Sequence, residues 1–392
     1  MSVFDGLVGQ QRVVEQLQAA VASAAGVVAG GTGSAGGMTH AWLFTGPPGS
    51  GRSVAARAFA AALQCTEGGC GHCETCHQAL TGNHPDVAVV VPEGLHFKID
   101  EARELITRSS RSPTRGRWQI TVMEDADRME ERTTNTLLKA IEEPPPRSVV
   151  LLCAPSVDDL LPTIRSRCRL VSLRTPPVDD VARVLVERDG VDPAMAAFAA
   201  RAAQGHIGRA KRLATDEEAR TERREVLSLP RSLQGVSAAL AAAKALVDAA
   251  KEEADQLTAG RDATERQSLA TALGEGATGK GVTGSTRGSA GALKDLEKRQ
   301  KSRGTRTQRD ALDRALGDLS AFYRDVLAHQ LGSGVDLVHV DLGEQTAQLA
   351  RATSPESTLR RIDAVLACRE ALDANVAPLL AVESMALSLR TG

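Results

Sequence analysis

The sequence predicts a parallel α/β domain followed by an all-helical C-terminal region. Between residues 38 and 173, short apolar runs alternate with helical segments, and a glycine-rich loop follows the first run. Beyond Pro176 the apolar runs give way to helical periodicity. Apolar strands that alternate with helices are typical of a parallel sheet covered on both faces. Since 42% of the 392 residues are hydrophobic, the chain can bury a substantial core.

The elements can be placed in order along the chain. Apolar runs predict strands at 41–45, 87–91, 119–123, 149–153 and 169–173, and apolar periodicity predicts helices at 53–63, 99–107 and 132–141. Three prolines at 144–146 end the last of these helices, because proline lacks an amide donor and clashes with the preceding turn.

The C-terminal half is expected to form a helical bundle after several short helices. One helix face carries Leu312, Leu316, Leu319, Tyr323 and Val326, and a later one carries Leu359, Ile362 and Leu366. Two segments, 26–37 with six glycines and 274–291 with seven, are expected to be flexible loops.

Charge and composition exclude several functional classes. A net charge of -2 excludes a histone-like DNA wrapper, and nine aromatic residues argue against a base-stacking platform. No apolar run approaches the ~20 residues of a membrane helix, and the N-terminus does not resemble a signal peptide. A cytoplasmic location is therefore expected, where cysteines are metal ligands or free thiols more often than disulfides.

The segment 46–53, Gly-Pro-Pro-Gly-Ser-Gly-Arg-Ser, has the spacing of a phosphate-binding loop between a strand and a helix. Gly46, Gly49 and Gly51 would let backbone donors converge on an anion at the helix N-terminus, and Ser53 could bind Mg²⁺. Arg52 replaces the usual lysine, and its planar fork is not equivalent to a compact ammonium. ATP with Mg²⁺ is therefore a doubtful ligand, and the alternative is a strand-to-helix turn without a ligand.

Two carboxylates, Glu124 and Asp125, follow the third apolar strand. The carboxyl end of such a strand is where a Walker B metal ligand and water-activating base lie, although their usual order is Asp then Glu. We interpret the pair as a degenerate Walker B motif. The alternative is an acidic start of a helix.

Four cysteines, Cys65, Cys70, Cys73 and Cys76, have a spacing that can close a tetrahedral metal site. Structural zinc is the expected occupant, because four thiolates leave no coordination position for a substrate. An iron–sulfur cluster and unligated thiols are the alternatives.

Weaker signals are the run Ser166, Arg167, Cys168 and two basic stretches. An arginine such as Arg167 is usually a solvated charge or a structural ion pair. The basic stretches could contact phosphates, but a solvated face is the more common meaning. They comprise Arg103, Arg108, Arg111, Arg115 and Arg117, and Lys298, Arg299, Lys301, Arg303, Arg306 and Arg309.

Taken together, these motifs resemble the clamp-loader branch of the AAA+ proteins, and within it the delta-prime family of bacterial DNA polymerase III subunits. The resemblance rests on 7–10, the loop at 46–53, the four cysteines, 112–117, and above all 135–145 followed by 161–168. It is specific over residues 1–175 and weaker beyond. Frequent Ala, Gly and Arg favour a high-GC actinobacterium as the source.

The resemblance implies three domains: an AAA+ P-loop α/β domain over 1–175 with a zinc module at 65–76, a helical lid over 176–213, and a helical collar over 214–392. It also implies partners, namely tau/gamma and delta subunits in a hetero-pentamer, which loads the β sliding clamp onto primed DNA. Tau/gamma members hydrolyse ATP, whereas delta-prime members act as stators and lend the arginine of Ser-Arg-Cys to a neighbour's ATP site. That position is Arg167.

The departures from the family's ATPase pattern favour a non-motor. Besides Arg52, Glu124 and Asp125, the sensor threonine falls on Ala154 or Pro155, and the lid arginine falls near Gly208, beside Arg209. Each lost polar group removes a contact to the γ-phosphate or the attacking water. Little or no ATPase activity is expected of this chain, and nothing in it resembles a polymerase site. The alternative is an ATP-hydrolysing tau/gamma-type motor.

Overall fold

A computed structural model describes residues 2–28, 37–95, 97, 107, 112–129, 131–273 and 286–392, with only the backbone at 131, 132, 139, 140 and 286–290. The chain divides into two compact units, one of residues 1–92 with 96–215 and the other of 93–95 with 216–392. In the described ranges, no helix combines the length and the apolar character needed to cross a membrane. The division into three domains stays a prediction.

The first unit is built on a five-stranded sheet whose pairings are all parallel, in the order β2-β3-β4-β1-β5. The α/β fold predicted by the sequence is confirmed. The strands are Ala41–Thr45 (β1), Val87–Val90 (β2), Gln119–Met123 (β3), Ser148–Ala154 (β4) and Arg169–Ser172 (β5). Its helices are Gln11–Val28 (α1), Arg52–Gln64 (α2), Glu74–Thr81 (α3), Glu131–Glu142 (α4), Pro162–Arg165 (α5), Val178–Asp189 (α6), Pro193–Ala202 (α7) and Ile207–Thr215 (α8).

Side chains on β1 alternate between the two faces of the sheet. Trp42 and Phe44 pack with Phe59 of α2 in one core, and the ring centroids of Trp42 and Phe59 lie 4.9 Å apart. Leu43 points to the other face, where it packs with Leu137 of α4. Because strand side chains alternate with a period of two, this continuous apolar strand is covered on both sides.

The second unit is all-helical, as the sequence predicts. Its helices are Glu217–Ser232 (α9), Val236–Ala272 (α10), Thr286–Leu331 (α11), Gly343–Ala352 (α12), Pro355–Asp373 (α13) and Pro378–Thr391 (α14). The predicted apolar face of α11 is buried, with Leu312, Leu316 and Leu319 fully inaccessible. On α13 the predicted face is largely exposed at Leu359 and Leu366, because a parallel stripe of Thr358, Val365, Cys368 and Leu372 faces the core instead.

Both predicted glycine-rich loops need correction where the structure describes them. Helix α1 continues to Val28, because Val27 and Val28 pack against the core, so 26–28 is not a loop. Residues 286–291 begin α11, since glycine lowers helix propensity without preventing a helix. The remainder of these loops, the predicted helix 99–107 apart from Thr107, and Arg103, Arg108 and Arg111 lie outside the described residues.

Candidate functional site

The glycine-rich loop connects β1 to α2, as its spacing predicts. Gly49 and Gly51 have φ angles of 85° and 91°, which other residues rarely adopt. The amide of Gly46 donates to the carbonyl oxygen of Pro155, which follows β4, at 3.1 Å. The loop therefore lies at the carboxyl end of the sheet, where open α/β folds bind ligands.

Arg52 turns back onto the loop from which it starts. Its Nη1 donates to the carbonyl oxygen of Gly46. The guanidinium thus satisfies the loop's own backbone, whereas a phosphate-binding cation would point outward to the ligand.

His206, immediately before α8, covers the other side of the loop. A Cβ added to Gly49 would lie 2.6 Å from both Cβ and Cγ of His206, so the histidine sits directly over this glycine. The side chain of Gln10 holds the same region together, because its Nε2 donates to the carbonyls of Arg174 and Ser50 at 2.6 and 3.4 Å. His206 therefore packs against Gly49 on the side where a side chain would project, and Gln10 ties the loop to the segment after β5.

Glu124, at the end of β3, is held by an arginine of α2. Both Nε and Nη2 of Arg57 donate to Glu124 Oε1, at 2.9 and 2.7 Å. The adjacent Asp125 has a left-handed backbone with φ 50°, and burial raises the pKa of Asp127. Because Glu124 is already paired with a cation, it is poorly placed to serve as a magnesium ligand.

The polar sensor positions are also changed. Ala154 is fully buried in β4 and, like Pro155, has no hydroxyl to offer. The backbone amide of Arg209 donates to Nδ1 of His206 at 3.3 Å. ATP with Mg²⁺ therefore fits this loop poorly as it stands: Arg52 and Glu124 already have partners within the chain, and His206 packs beside Gly49.

Arg167 lies between α5 and β5 and keeps 40% of its side chain exposed. Nη1 donates to the carbonyl of Thr163 at 2.8 Å, and Nη2 lies 2.8 Å from Oε1 of Glu142, itself 46% exposed. Half-exposed ion pairs contribute only about 0–1 kcal/mol, so the guanidinium can exchange this partner for another anion at little cost. Burial raises the pKa of the neighbouring Cys168 to about 12, so that thiol remains neutral.

The four predicted cysteines converge. Their sulfur atoms all lie within 4.8 Å of one another, and Cys65 Sγ is 3.8 Å from Cys70 Sγ and 3.9 Å from Cys73 Sγ. A tetrahedron with Zn–S bonds of ~2.3 Å has S–S edges of ~3.8 Å. The cluster therefore fits a metal ion, as the spacing predicts.

Hydrogen bonds to the sulfurs prepare the cluster for a cation. Although burial acts to raise the pKa of Cys65, backbone amides of Cys70, Gly69 and Glu67 lower it to about 6. Burial and the neighbouring sulfurs raise the pKa of Cys76, although the amide of Gly71 acts to lower it. One thiolate thus forms readily, and a metal ion would favour ionisation of the rest.

Asp86 is a buried structural carboxylate that the sequence reasoning missed. Its Oδ1 accepts from the amide and hydroxyl of Thr114, and its Oδ2 accepts from the amides of Arg115 and Gly116. Burial acts to raise the pKa of Asp86, but these hydrogen bonds outweigh it and lower the pKa to about 2. Its place just before β2, in His-Pro-Asp, was the signal available.

Each of the two basic stretches has an arginine that contacts other groups of the fold. Arg117 donates to the carbonyl of Cys65 at 3.0 Å, linking its loop to the cysteine cluster. Arg303 is buried and pairs with Asp262 and Glu265, both at 2.5 Å. These two arginines therefore support local structure.

Comparison with known families gives two matches. The family described as DNA polymerase III, delta subunit, matches residues 32–177, and the one described as DNA polymerase III, delta subunit, C terminal, matches residues 307–391. These ranges together cover more than half of the chain.

Curated relatives agree. The DNA polymerase III subunit delta' of Bacillus subtilis is 31% identical over 195 residues, covering 49% of this chain and 59% of the relative. The delta' subunit of Pseudomonas aeruginosa is 36% identical over 135 residues, covering 33% and 41%. The gamma/tau subunit of Mycobacterium tuberculosis is 32% identical over 197 residues, covering 48% and 32%. The chain thus spans less than two thirds of each of these relatives.

Among solved structures, a DNA polymerase III gamma subunit-related protein from Thermotoga maritima aligns with a TM-score of 0.40 and 15% identity, covering 95% of this chain and 98% of that one. The expected actinobacterial source stays a prediction.

Proposed function

Because this chain belongs to the DNA polymerase III delta-subunit family, we propose that it is a delta-prime-type, non-motor subunit of a clamp loader. Its partners would be tau/gamma and delta subunits in a hetero-pentamer that places the β sliding clamp on primed DNA. We expect it in the cytoplasm, with the replisome. Polymerase chemistry would belong to other chains.

The observation that carries this proposal is that the chain's own groups engage the side chains that would contact nucleotide at the phosphate loop. Arg52 bonds to Gly46, His206 covers Gly49, and Arg57 pairs with Glu124. Arg52 and Glu124 would have to leave these partners before they could contact a nucleotide or its Mg²⁺. A motor of the tau/gamma kind, the other candidate, would need the same groups directed toward nucleotide.

Instead of binding nucleotide in its own loop, this chain would use Arg167 to act on a nucleotide that a neighbouring subunit holds. An arginine that approaches a transferring phosphoryl group stabilises the negative charge that grows on its oxygens. Arg167 suits this role because its guanidinium is exposed and its partner Glu142 is also solvated. Arg167 would exchange its weak ion pair with Glu142 for a contact with the dianionic phosphoryl group.

We expect ATP with Mg²⁺ to bind the isolated chain with a dissociation constant above about 1 mM, which corresponds to a binding free energy of less than about 4 kcal/mol. Isothermal titration calorimetry checks this. The variant Arg52→Lys should stay as weak, because His206 still covers Gly49, whereas Arg52→Lys with His206→Ala should gain affinity. Micromolar binding by the unmodified chain would favour the motor.

We propose zinc as the metal of the four-cysteine cluster, with a structural role. Elemental analysis of the purified chain should give about one zinc per chain, because four thiolates at tetrahedral spacing bind this ion well. Cys73→Ser should lose most of it. Cys368→Ser, which removes a buried thiol outside the cluster, should retain it. Iron with sulfide in place of zinc, or full zinc retention by Cys73→Ser, would contradict the assignment.

A further inference from the structure

Three ligand-bearing side chains of different types meet at the surface edge of the cysteine cluster. The carboxylate of Glu67, the sulfur of Cys70 and the imidazole of His72 have ligand atoms within 4.8 Å of one another. Glu67 and His72 are exposed, and Cys70 is partly exposed. We call these residues the surface triad. Cys70 belongs to both the triad and the four-cysteine cluster, so the two ligand sets share one sulfur.

The turn around Cys70 produces this arrangement. Gly68, Gly69 and Gly71 have φ angles of 71°, 106° and 78°. A Cβ on Gly69 would lie 2.7 Å from Cγ2 of Val3, so this glycine has no room for a side chain either. The chain therefore reverses tightly here and brings Glu67 and His72 to Cys70 from opposite sides in sequence.

His72 is held in a tautomer suited to metal binding. Its Nδ1 lies 3.0 Å from the carbonyl oxygen of Cys70, and a carbonyl can only accept a hydrogen bond. Nδ1 therefore carries the proton and donates it, which leaves the lone pair of Nε2 for a cation. Metal-binding histidines commonly donate their second ring nitrogen to a carbonyl in this way.

The separations also suit one ion. Around a tetrahedral zinc ion with bonds of ~2.0–2.3 Å, two ligand atoms lie ~3.3–3.8 Å apart. The ligand atoms of the triad, one ring nitrogen of His72 among them, lie within 4.8 Å of one another, and the exposed side chains of Glu67 and His72 can rotate to close the remaining ~1 Å. A carboxylate, a thiolate and an imidazole leave the fourth position to water. Such a site is open, whereas the four-thiolate site is closed.

We propose that the surface triad is a transient metal site through which a zinc ion enters and leaves the four-cysteine cluster. This inference rests on the proposal that the cluster holds zinc. The ion first binds Glu67, His72, the thiolate of Cys70 and one water. Cys65, Cys73 and Cys76 then replace the carboxylate, the imidazole and the water in turn.

The exchange balances without redox chemistry. Each thiol that binds the ion releases its proton to solvent, Glu67 leaves as a carboxylate, and His72 leaves as a neutral imidazole. The bond to Cys70 is kept throughout, so the ion is never released midway. Because Cys65 and Cys76 are buried, an incoming ion cannot reach them first.

The test is the kinetics of metal transfer in the full chain. Zinc loading of the apo-protein and zinc release to a chelating dye are followed by stopped flow, with Co²⁺ as a second probe whose charge-transfer absorption reports thiolate ligands. For Glu67→Gln with His72→Ala we expect both loading and release to slow by about tenfold, the scale of effect that groups around metal sites exert. Zinc affinity at equilibrium should change little, because a transient site changes both rates alike.

A matched control is available on α3. Glu74→Gln with His77→Ala removes the same two side-chain types from exposed positions outside the triad, and should load and release at the unmodified rates. Unchanged rates in the triad variant, or equal slowing in the control, would overturn the inference. If the unmodified chain binds no zinc, the cluster assignment fails instead, so the two failures are distinguishable.

Discussion

Replacing Arg167 by alanine is expected to slow ATP hydrolysis by about 10³-fold or more at the neighbouring site that it completes, the range measured for arginine fingers. The readout is single-turnover ATP hydrolysis by the loader reconstituted with its partners, clamp and primed DNA. Stoichiometric nucleotide binding should persist, because the finger acts mainly on charge that develops during phosphoryl transfer.

Arg165→Ala is the matched control. Arg165 is 41% exposed, lies two residues away, and pairs with Asp158 at 2.7 Å, much as Arg167 pairs with Glu142. The Arg165→Ala variant should leave ATP hydrolysis unchanged. Arg167→Lys should recover little, because an ammonium cannot reproduce the bidentate fork. Equal losses in the Arg165 and Arg167 variants would indicate damage to the local structure rather than loss of a finger.

Asp86→Asn is expected to lower the free energy of unfolding of the α/β unit by about 2–4 kcal/mol, since its amide nitrogen replaces one accepting oxygen and leaves the buried donors on that side without an acceptor. Both tryptophans, Trp42 and Trp118, lie in this unit, so their fluorescence reports its unfolding alone. Asp192→Asn is the control. Asp192 caps α7 by accepting from Ala194 and Met195, and asparagine caps nearly as well, so its effect should be small.

The contribution of Asp86 to the free energy of unfolding should fall as the pH is lowered. Its pKa is about 2 in the folded chain and about 3.9 when unfolded, so the unfolded state takes up the proton first as pH falls. The stabilisation is therefore complete above about pH 4 and is lost between about pH 4 and pH 2, with a size of about 2–3 kcal/mol. Urea unfolding of the Asn variant and the unmodified chain across this window checks the difference, and a constant difference throughout would contradict it.

The features that the sequence predicted well depend on local pattern. The five strands are apolar runs between turn signals, and each was placed within a residue or so of its observed bounds. The loop at 46–53 and the four cysteines were found because their residue types and spacing are recognisable without any contact distant in the sequence. Helix α3 was missed, because the residues that supply metal ligands there leave little apolar periodicity.

The features that were missed depend on contacts distant in the sequence. No local pattern shows that His206 covers Gly49, 157 positions earlier, or that Arg57 neutralises Glu124. The orientation of α13 was similarly ambiguous, since it carries two apolar stripes and only packing decides which is buried. The identity of Arg52 suggested a changed loop, but only the structure shows that its side chain turns back onto Gly46.

The central claim is that this chain completes an ATP site on a neighbour and does not use its own. The most direct test is the rate of clamp- and DNA-stimulated ATP hydrolysis by the reconstituted loader, measured with Arg167→Ala and with Arg52→Ala in this subunit. A large loss is expected with Arg167→Ala and an unchanged rate with Arg52→Ala. A loss with Arg52→Ala as large as that with Arg167→Ala would contradict it, and the chain would then be a motor.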